Sequence, residues 1–374
     1  MKVLILSSST GGGHNAAGMA VQEKLLQNGH EAVMMDMFLL SSERTANFVG
    51  QCYVKTARSL PRLFGFLYRI AGHISSSRRK SPIYYANGLM AKKLHAYLEE
   101  NHFDAIVMPH LFPAETITYM KRHKMEVPLT VAVATDYTCI PFWAETECDY
   151  YIAPHAELLE EYIKKGIPEE KLMPFGIPVK EAFCQKQDKA LAKRKLHLPE
   201  DKAMYLIMSG SMGFGKIHLF AYELTAHLKN GEQIVIICGN NKKLRRTLKR
   251  QFYRKPGIHI IGYTERVADF MAACDVIYTK PGGLTSTEAL DMHIPIVHTA
   301  PIPGCETKNR EFFVSRGMSI AAERISTQIK QGKLLTENTD VRNGMYSAQK
   351  TNALPDAAGQ ICRFLEEKTA AKQL

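Results

Sequence analysis

Twice in this 374-residue chain a short apolar run breaks into glycines and then resumes at helical spacing. Near the N-terminus Lys2–Leu6 runs into SSSTGGGH (7–14), and Asn15–Asn28 follows with Ala16, Ala17, Ala20, Val21 and Leu25 on one helical face. The second half restarts in the same way, with Met204–Met208 running into Gly210, Ser211 and Gly213. Strand, glycine turn and helix in that order are the repeating unit of a doubly wound parallel sheet. Further strands are expected at 31–35, 105–108, 129–133 and 150–153, then at 233–238, 258–261, 276–278 and 294–298. The fold class is therefore α/β, with two Rossmann-like domains facing each other across a cleft. The polar, charged stretch 185–201 marks the change of domain. The expected division is 1–180, 181–345, and a C-terminal helical segment 346–374 that packs back across the domains.

The most informative single stretch is Thr279–Asp291, TKPGGLTSTEALD. A β-branched and aromatic strand ends before it, Pro281-Gly282-Gly283 breaks the pattern, and good helix formers follow. Two glycines let a phosphate approach the backbone. The N–H groups of Leu284, Thr285 and Ser286 would stand at a helix N-terminus, where the dipole favours an anion. Glu288, one turn further, is placed to accept from a ribose diol. A plain strand-to-helix connection has the same local pattern.

Lys plus Arg number 48 against 37 Asp plus Glu, a formal charge of +11, which points to an anionic partner. The eight cysteines show no C-x-x-C pair or regular spacing, so neither a zinc site nor a disulfide framework is expected. The N-terminal apolar run is too short for a signal peptide, and no run approaches the roughly 20 residues that span a bilayer. Gly210–Lys216 matches the first part of a P-loop, but Ile217 stands where Mg²⁺ binding needs Ser or Thr. That departure argues against an NTPase, although the loop would still offer N–H groups to a phosphate.

Three further features are candidates for chemistry. His14 follows the first strand, where open α/β sheets place ligands, and an imidazole there would serve as a base. Asp136 follows the 129–134 run and would orient His14, share its role, or simply cap a turn. Glu306 and Asn309, three residues apart, would share a helix face and bond sugar hydroxyls. Separately, no Asp or Glu occurs between Glu43 and Glu99, while Lys55, Arg58, Arg62 and Arg69 lie beside Phe64 and Leu67 at helical spacing. An apolar face next to a basic one suits a segment lying in an anionic membrane surface; a solvated basic face is the ordinary alternative. No nucleic-acid-binding motif accompanies these charges.

The stretches SSSTGGGHNAA, ATDYTCIPFWA, FGIPV, MAACDVIYTKPGGLTSTEAL and PIPGCETKNREFF appear in this order. Together they resemble the monogalactosyldiacylglycerol synthase and processive diacylglycerol glucosyltransferase family. The resemblance implies a GT-B fold, with the acceptor on the N-terminal domain and a UDP-sugar on the C-terminal one. It implies an inverting, metal-independent UDP-sugar-dependent hexosyltransferase that needs no cofactor. UDP-hexose and diacylglycerol, or a related lipid, are its expected substrates, met at the cytoplasmic face of the cell membrane. His14 takes the position of the base, Glu288 that of the ribose-binding acid, and Glu306 with Asn309 that of the sugar-contacting pair. Gly282, Gly283, Thr285 and Ser286 match the pyrophosphate turn; Leu284, Gly13, Gly210, Ser211, Gly213 and Lys280 are expected to complete the donor set. Tyr263 falls where the family holds uracil with backbone groups. Many members carry a histidine shortly after the aspartate of the TD segment, whereas Thr138-Cys139-Ile140-Pro141 stands here. A cell-wall lipid-intermediate glycosyltransferase and a UDP-sugar 2-epimerase share this architecture and remain alternatives, as does a non-enzymatic membrane or nucleic-acid binder.

Overall fold

In the computed structural model each half of the chain forms a six-stranded parallel sheet, and the structure describes residues 1–8, 11–50, 80–185, 187–208, 210 and 216–372. The first sheet contains β1 (Lys2–Ser7), β2 (Glu31–Asp36), β3 (Ala105–Met108), β4 (Leu129–Val133), β5 (Tyr150–Ile152) and β6 (Leu172–Met173), in the order β2-β1-β3-β4-β5-β6. The second contains β7 (Met204–Met208), β8 (Gln233–Ile237), β9 (Ile258–Ile261), β10 (Val276–Thr279), β11 (Ile296–His298) and β12 (Ile320–Ala321), in the order β12-β11-β10-β7-β8-β9.

Strands β3, β4, β8 and β10 are buried along their whole length, as expected for parallel strands covered on both faces. On one face of the first sheet Leu4, Leu6, Ile106 and Met108 pack with Leu94 and Ile117. On the other face Val3, Ile5, Val107 and Val131 meet Val21 and Leu25 of the Gly12–Gln27 helix, and Ile361 and Leu365 of the Ala357–Lys372 helix. The chain accordingly divides into a first unit of Met1–Glu181 with 303–305 and 354–374, and a second of Ala182–Ile302 with 306–353. The last helix thus supplies core to the first sheet.

Ten of the twelve strands lie where the apolar runs place them. The two unforeseen ones, β6 and β12, have two residues each and lie at sheet edges, too short to show a period. One correction matters for chemistry. The first helix begins at Gly12, three residues before Asn15, so His14 sits in the helix's first turn rather than in the preceding loop. Glycine adopts helical dihedrals readily, and the first helical positions need no particular side chain.

In the first sheet β1 lies between β2 and β3, and in the second β7 lies between β8 and β10. The chain leaves β1 toward β2 and later returns on the other side; it leaves β7 toward β8 and does the same. Each sheet therefore has a switch point, β1/β3 in one and β7/β10 in the other, where loops at the strand ends diverge and leave a crevice for ligand. The glycine turns of the sequence lie at these two places.

Gly332, in the Ile325–Glu337 helix, lies against the fully buried Tyr278 of β10, and a Cβ there would overlap the phenol hydroxyl and ring. Gly332→Ala is expected to cost about 1–3 kcal/mol through overpacking. A lowered urea midpoint at unchanged m-value checks this; an unshifted midpoint refutes it. Among the described residues no helix is long and apolar enough to cross a bilayer. The seven described cysteines are free thiols.

Candidate active site

At the β1/β3 switch point, the first turn of the Gly12–Gln27 helix brings His14 over the end of β3. Its Nδ1 lies 2.9 Å from the Pro109 carbonyl and 2.9 Å from Thr135 Oγ1. A carbonyl only accepts, so Nδ1 carries the proton and donates it, and Nε2 keeps the lone pair. The backbone thereby selects the tautomer of the imidazole. His14 retains partial exposure, and burial of the ring lowers its pKa below 6.5, with the Pro109 bond working in the opposite direction. At neutral pH the ring is therefore unprotonated and able to accept.

His110 meets His14 edge to face, with ring centroids 4.5 Å apart. Its Nδ1 accepts the Phe112 N–H at 3.1 Å, capping the Leu111–Arg122 helix, so its own proton resides on Nε2. Burial first, and then the neighbouring His14, hold its pKa well below 6.5. Two cations at this separation would repel, so the pair stays neutral. Asp136 follows Thr135 at the end of β4 and is partly exposed. The orienting contacts on His14 Nδ1 come from Thr135, its chain neighbour, and from Pro109. Ser7 Oγ donates to Asn15 Oδ1 at 2.6 Å, tying the end of β1 to the same helix turn that holds Gly13 and His14.

The β7/β10 switch point carries the second constellation. Gly282 caps the Gly283–Asp291 helix with extended backbone, and its own N–H turns back to the Lys280 carbonyl. Gly283, Leu284 and Thr285 are the first three helical residues, whose N–H groups precede the first intrahelical donor. Ser286 departs from expectation. Its N–H donates to Gly282 O at 3.1 Å, and its fully buried hydroxyl lies 3.0 Å from His298 Nε2. It therefore begins the helix ladder instead of offering a donor, and the N–H groups that precede the ladder are those of Gly283, Leu284 and Thr285.

His298, at the end of β11, is completely buried between Ser286 and Ser319, whose hydroxyls sit 3.0 Å from its two nitrogens. Burial pushes its pKa down to about 3, with Arg310 adding to the shift. It stays a neutral strut behind the turn. Lys280 pairs with Glu306, and its ammonium group lies beside Gly282. Gly210, in the left-handed region at φ 74°, presses against the Lys280 stem, and a Cβ there would come within 2.8 Å of Cε. The expected glycine at the end of β7 thus makes room for the lysine of the other loop.

Glu306 and Asn309 lie on one face of the Cys305–Ser315 helix, as their spacing suggests. Glu306 Oε2 accepts from the Ile302 N–H, and the fully buried Asn309 donates to the Pro281 carbonyl at 3.0 Å. These bonds brace the Lys280–Gly282 turn. Glu288 is buried in the second turn of its helix. Tyr263, after β9, is 68% exposed. Ser211, Gly213, Lys55, Arg58, Arg62, Phe64, Leu67 and Arg69 lie outside the described residues. Sequence reasoning missed Thr135, Pro109, His110 and His298. All four lie at or just after the ends of expected strands, which was the available signal.

Residues 14–179 match the family model of monogalactosyldiacylglycerol (MGDG) synthase, and residues 188–351 match that of glycosyl transferases group 1. A processive diacylglycerol beta-glucosyltransferase of Staphylococcus saprophyticus is 27% identical over 372 residues, covering 97% of this chain and 92% of that protein. One of Bacillus cereus is 26% identical over 364 residues, covering 96% and 92%. Among solved structures, Acinetobacter baumannii MurG aligns over 98% of this chain and 99% of its own with a TM-score of 0.63 at 14% identity. The UDP-GlcNAc 2-epimerase of Neisseria meningitidis aligns over 98% and 100% with a TM-score of 0.64 at 14% identity. These likenesses establish the GT-B fold. With both domain models matched in order and relatives aligned along nearly the whole chain, the protein carries a monogalactosyldiacylglycerol synthase domain followed by a group 1 glycosyl transferase domain, is similar along its length to processive diacylglycerol glucosyltransferases, and is a glycosyltransferase.

Proposed function

We propose that this enzyme moves a hexose from a UDP-sugar to the hydroxyl of diacylglycerol or a related lipid at the cytoplasmic face of the cell membrane, by a single inverting displacement without a metal ion. The observation that carries the reading is His14, whose Nδ1–H is committed to the Pro109 carbonyl so that Nε2 is left basic. Nε2 takes the proton of the lipid hydroxyl as its oxygen attacks the anomeric carbon. The bond from that carbon to the UDP oxygen breaks, and the electron pair leaves with UDP. The N–H groups of Gly283, Leu284 and Thr285, the helix dipole and Lys280 take up the charge on the departing diphosphate. Glu288 holds the ribose, and the loop bearing Tyr263 holds uracil. Inversion of an α-linked donor yields a β-glycoside, in keeping with the beta-glucosyltransferase relatives.

Mass spectrometry of products from several UDP-sugars and diacylglycerol vesicles, followed by NMR of the anomeric proton, tests this directly. A β-glycolipid is expected. An α-linkage removes single displacement, and sugar epimerisation without lipid favours the epimerase that shares the fold.

The lowered pKa of His14 sets the pH dependence. Neutral imidazole is the active form, so kcat/KM is expected to stay level from neutral pH to below 6.5. It then falls as acid protonates the ring. A base limb centred above 6.5 contradicts the assigned tautomer and environment. Glu288→Ala is expected to weaken UDP binding about tenfold through loss of bonds to the diol. The same substitution should make no difference to 2′,3′-dideoxy-UDP; an equal loss with both nucleotides moves Glu288 away from the ribose.

A further inference from the structure

The second unit carries a strongly cationic surface that none of the donor-binding chemistry uses. Between Glu232 and Glu265 the chain has no acidic residue but has Lys242, Lys243, Arg245, Arg246, Lys249, Arg250, Arg254 and Lys255. The first six occupy the ten-residue helix Lys242–Gln251, which Asn241 caps by accepting from the Leu244 N–H at 2.9 Å. Leu244, Leu248 and Phe252, at intervals of four, turn one narrow stripe inward, and Leu248 is fully buried. All six cations face solvent. Among the described residues none of the eight makes an ion pair with a carboxylate; the recorded partner of Lys255 is the Thr225 hydroxyl, and Arg254 lies over its neighbour Tyr253. Like charges at positions three and four apart destabilise an isolated helix. A surface held this way, without neutralising acids, attracts an extended anion.

The surroundings identify which one. The Ile217–Thr225 helix lies alongside, joined through Gln251 to the His218 carbonyl at 3.0 Å and through Lys255 to Thr225 at 3.2 Å. It exposes Leu219 and Tyr222, and Tyr253 follows the basic helix at 72% exposure. Tyrosine rings and an aliphatic side chain beside clustered Lys and Arg fit the headgroup level of a bilayer, where the rings seat at the interface and the cations meet lipid phosphates. An exposed leucine gains nothing from a phosphodiester backbone.

We propose that the Lys242–Gln251 helix with Leu219, Tyr222 and Tyr253 is a docking face for an anionic lipid bilayer, built into the second unit and separate from the 55–69 segment. Lys243, Arg246 and Arg250, at spacings of three and four, share one stripe of it. Arg245 is set aside because its guanidinium packs over Gly262, next to Tyr263.

The test is co-sedimentation of the full-length protein with phosphatidylcholine vesicles containing or lacking phosphatidylglycerol. No donor or acceptor is present, so the outcome is separable from the transfer reaction. Relative to wild type, the triple variant K243Q/R246Q/R250Q should partition roughly a hundredfold more weakly onto the anionic vesicles, with no change on phosphatidylcholine alone. The swapped variant K243R/R246K/R250K should bind as wild type, and added salt should erase the difference. Unchanged UDP affinity and melting temperature in the triple variant establish that the loss is local. Wild-type partitioning by the triple variant overturns the proposal. So does release of wild type from the vesicles by a random-sequence RNA at equal phosphate concentration, which would assign the face to nucleic acid.

Discussion

A His14→Ala enzyme is expected to lose about 10²- to 10⁴-fold in kcat, the range ascribed to a positioned general base, while its affinity for UDP stays at the wild-type value. The separation follows from where the groups reside. His14 belongs to the first unit and is held by Pro109 and Thr135, whereas the N–H groups assigned to the diphosphate belong to the second. Removing the ring therefore leaves the donor contacts intact and deletes only the proton acceptor. A Thr135→Val enzyme should lose much less, because the Pro109 carbonyl still fixes Nδ1–H. Its decrease should appear in kcat rather than KM. Isothermal titration with UDP alongside initial-rate kinetics checks both variants. Turnover within a few fold of wild type in His14→Ala would remove it from the base role, and a large loss of UDP affinity would make it a donor ligand.

His298→Leu is the second large effect, and it acts through stability as well as binding. The substitution is close in volume but leaves the Ser286 and Ser319 hydroxyls without their partner in a fully buried site. Each unsatisfied buried hydroxyl costs about 1–3 kcal/mol, so a loss of about 2–6 kcal/mol is expected from the two, with weaker UDP binding because Ser286 makes the first hydrogen bond of the Gly283–Asp291 helix. Acid dependence supplies an independent check. Folded His298 has its pKa depressed to about 3 against 6.5 when unfolded. The unfolded chain thus binds a proton first, and this residue's contribution declines as pH falls from 6.5 toward 3. His298→Leu should lessen the acid sensitivity of the urea midpoint over that window. A variant as stable and as acid-sensitive as wild type would show that the imidazole is not a buried strut.

Some parts of this site are legible in the chain because they are local. Lys280-Pro281-Gly282 between a β-branched run and good helix formers places a turn at a strand end, and the structure puts a helix N-terminus there. His14 after three glycines is legible as a residue near a strand end, although the helix already begins at Gly12. What the reading missed came from register and distance. Whether Ser286 or Gly283 presents a free N–H depends on which residue makes the first intrahelical bond, a matter of one position that composition does not settle. Beside Asp136, which is conspicuous for chemistry, the contacts on His14 Nδ1 come from Thr135, its chain neighbour, and from a main-chain carbonyl. No sequence pattern marks a carbonyl.

By itself the sequence determined the class of fold, the two glycine-led halves and the residue types of the site. Apolar period and glycine placement act over a few residues, and so they are written along the chain. Tertiary structure decided which nitrogen of His14 carries the proton, which residue makes the first bond of the Gly283–Asp291 helix, and which carbonyl the buried Asn309 meets. Those outcomes hang on partners far apart in sequence: Pro109 is 95 residues from His14, and Pro281 is 28 from Asn309. A hydrogen bond reaches only about 3 Å, so packing alone determines who meets whom.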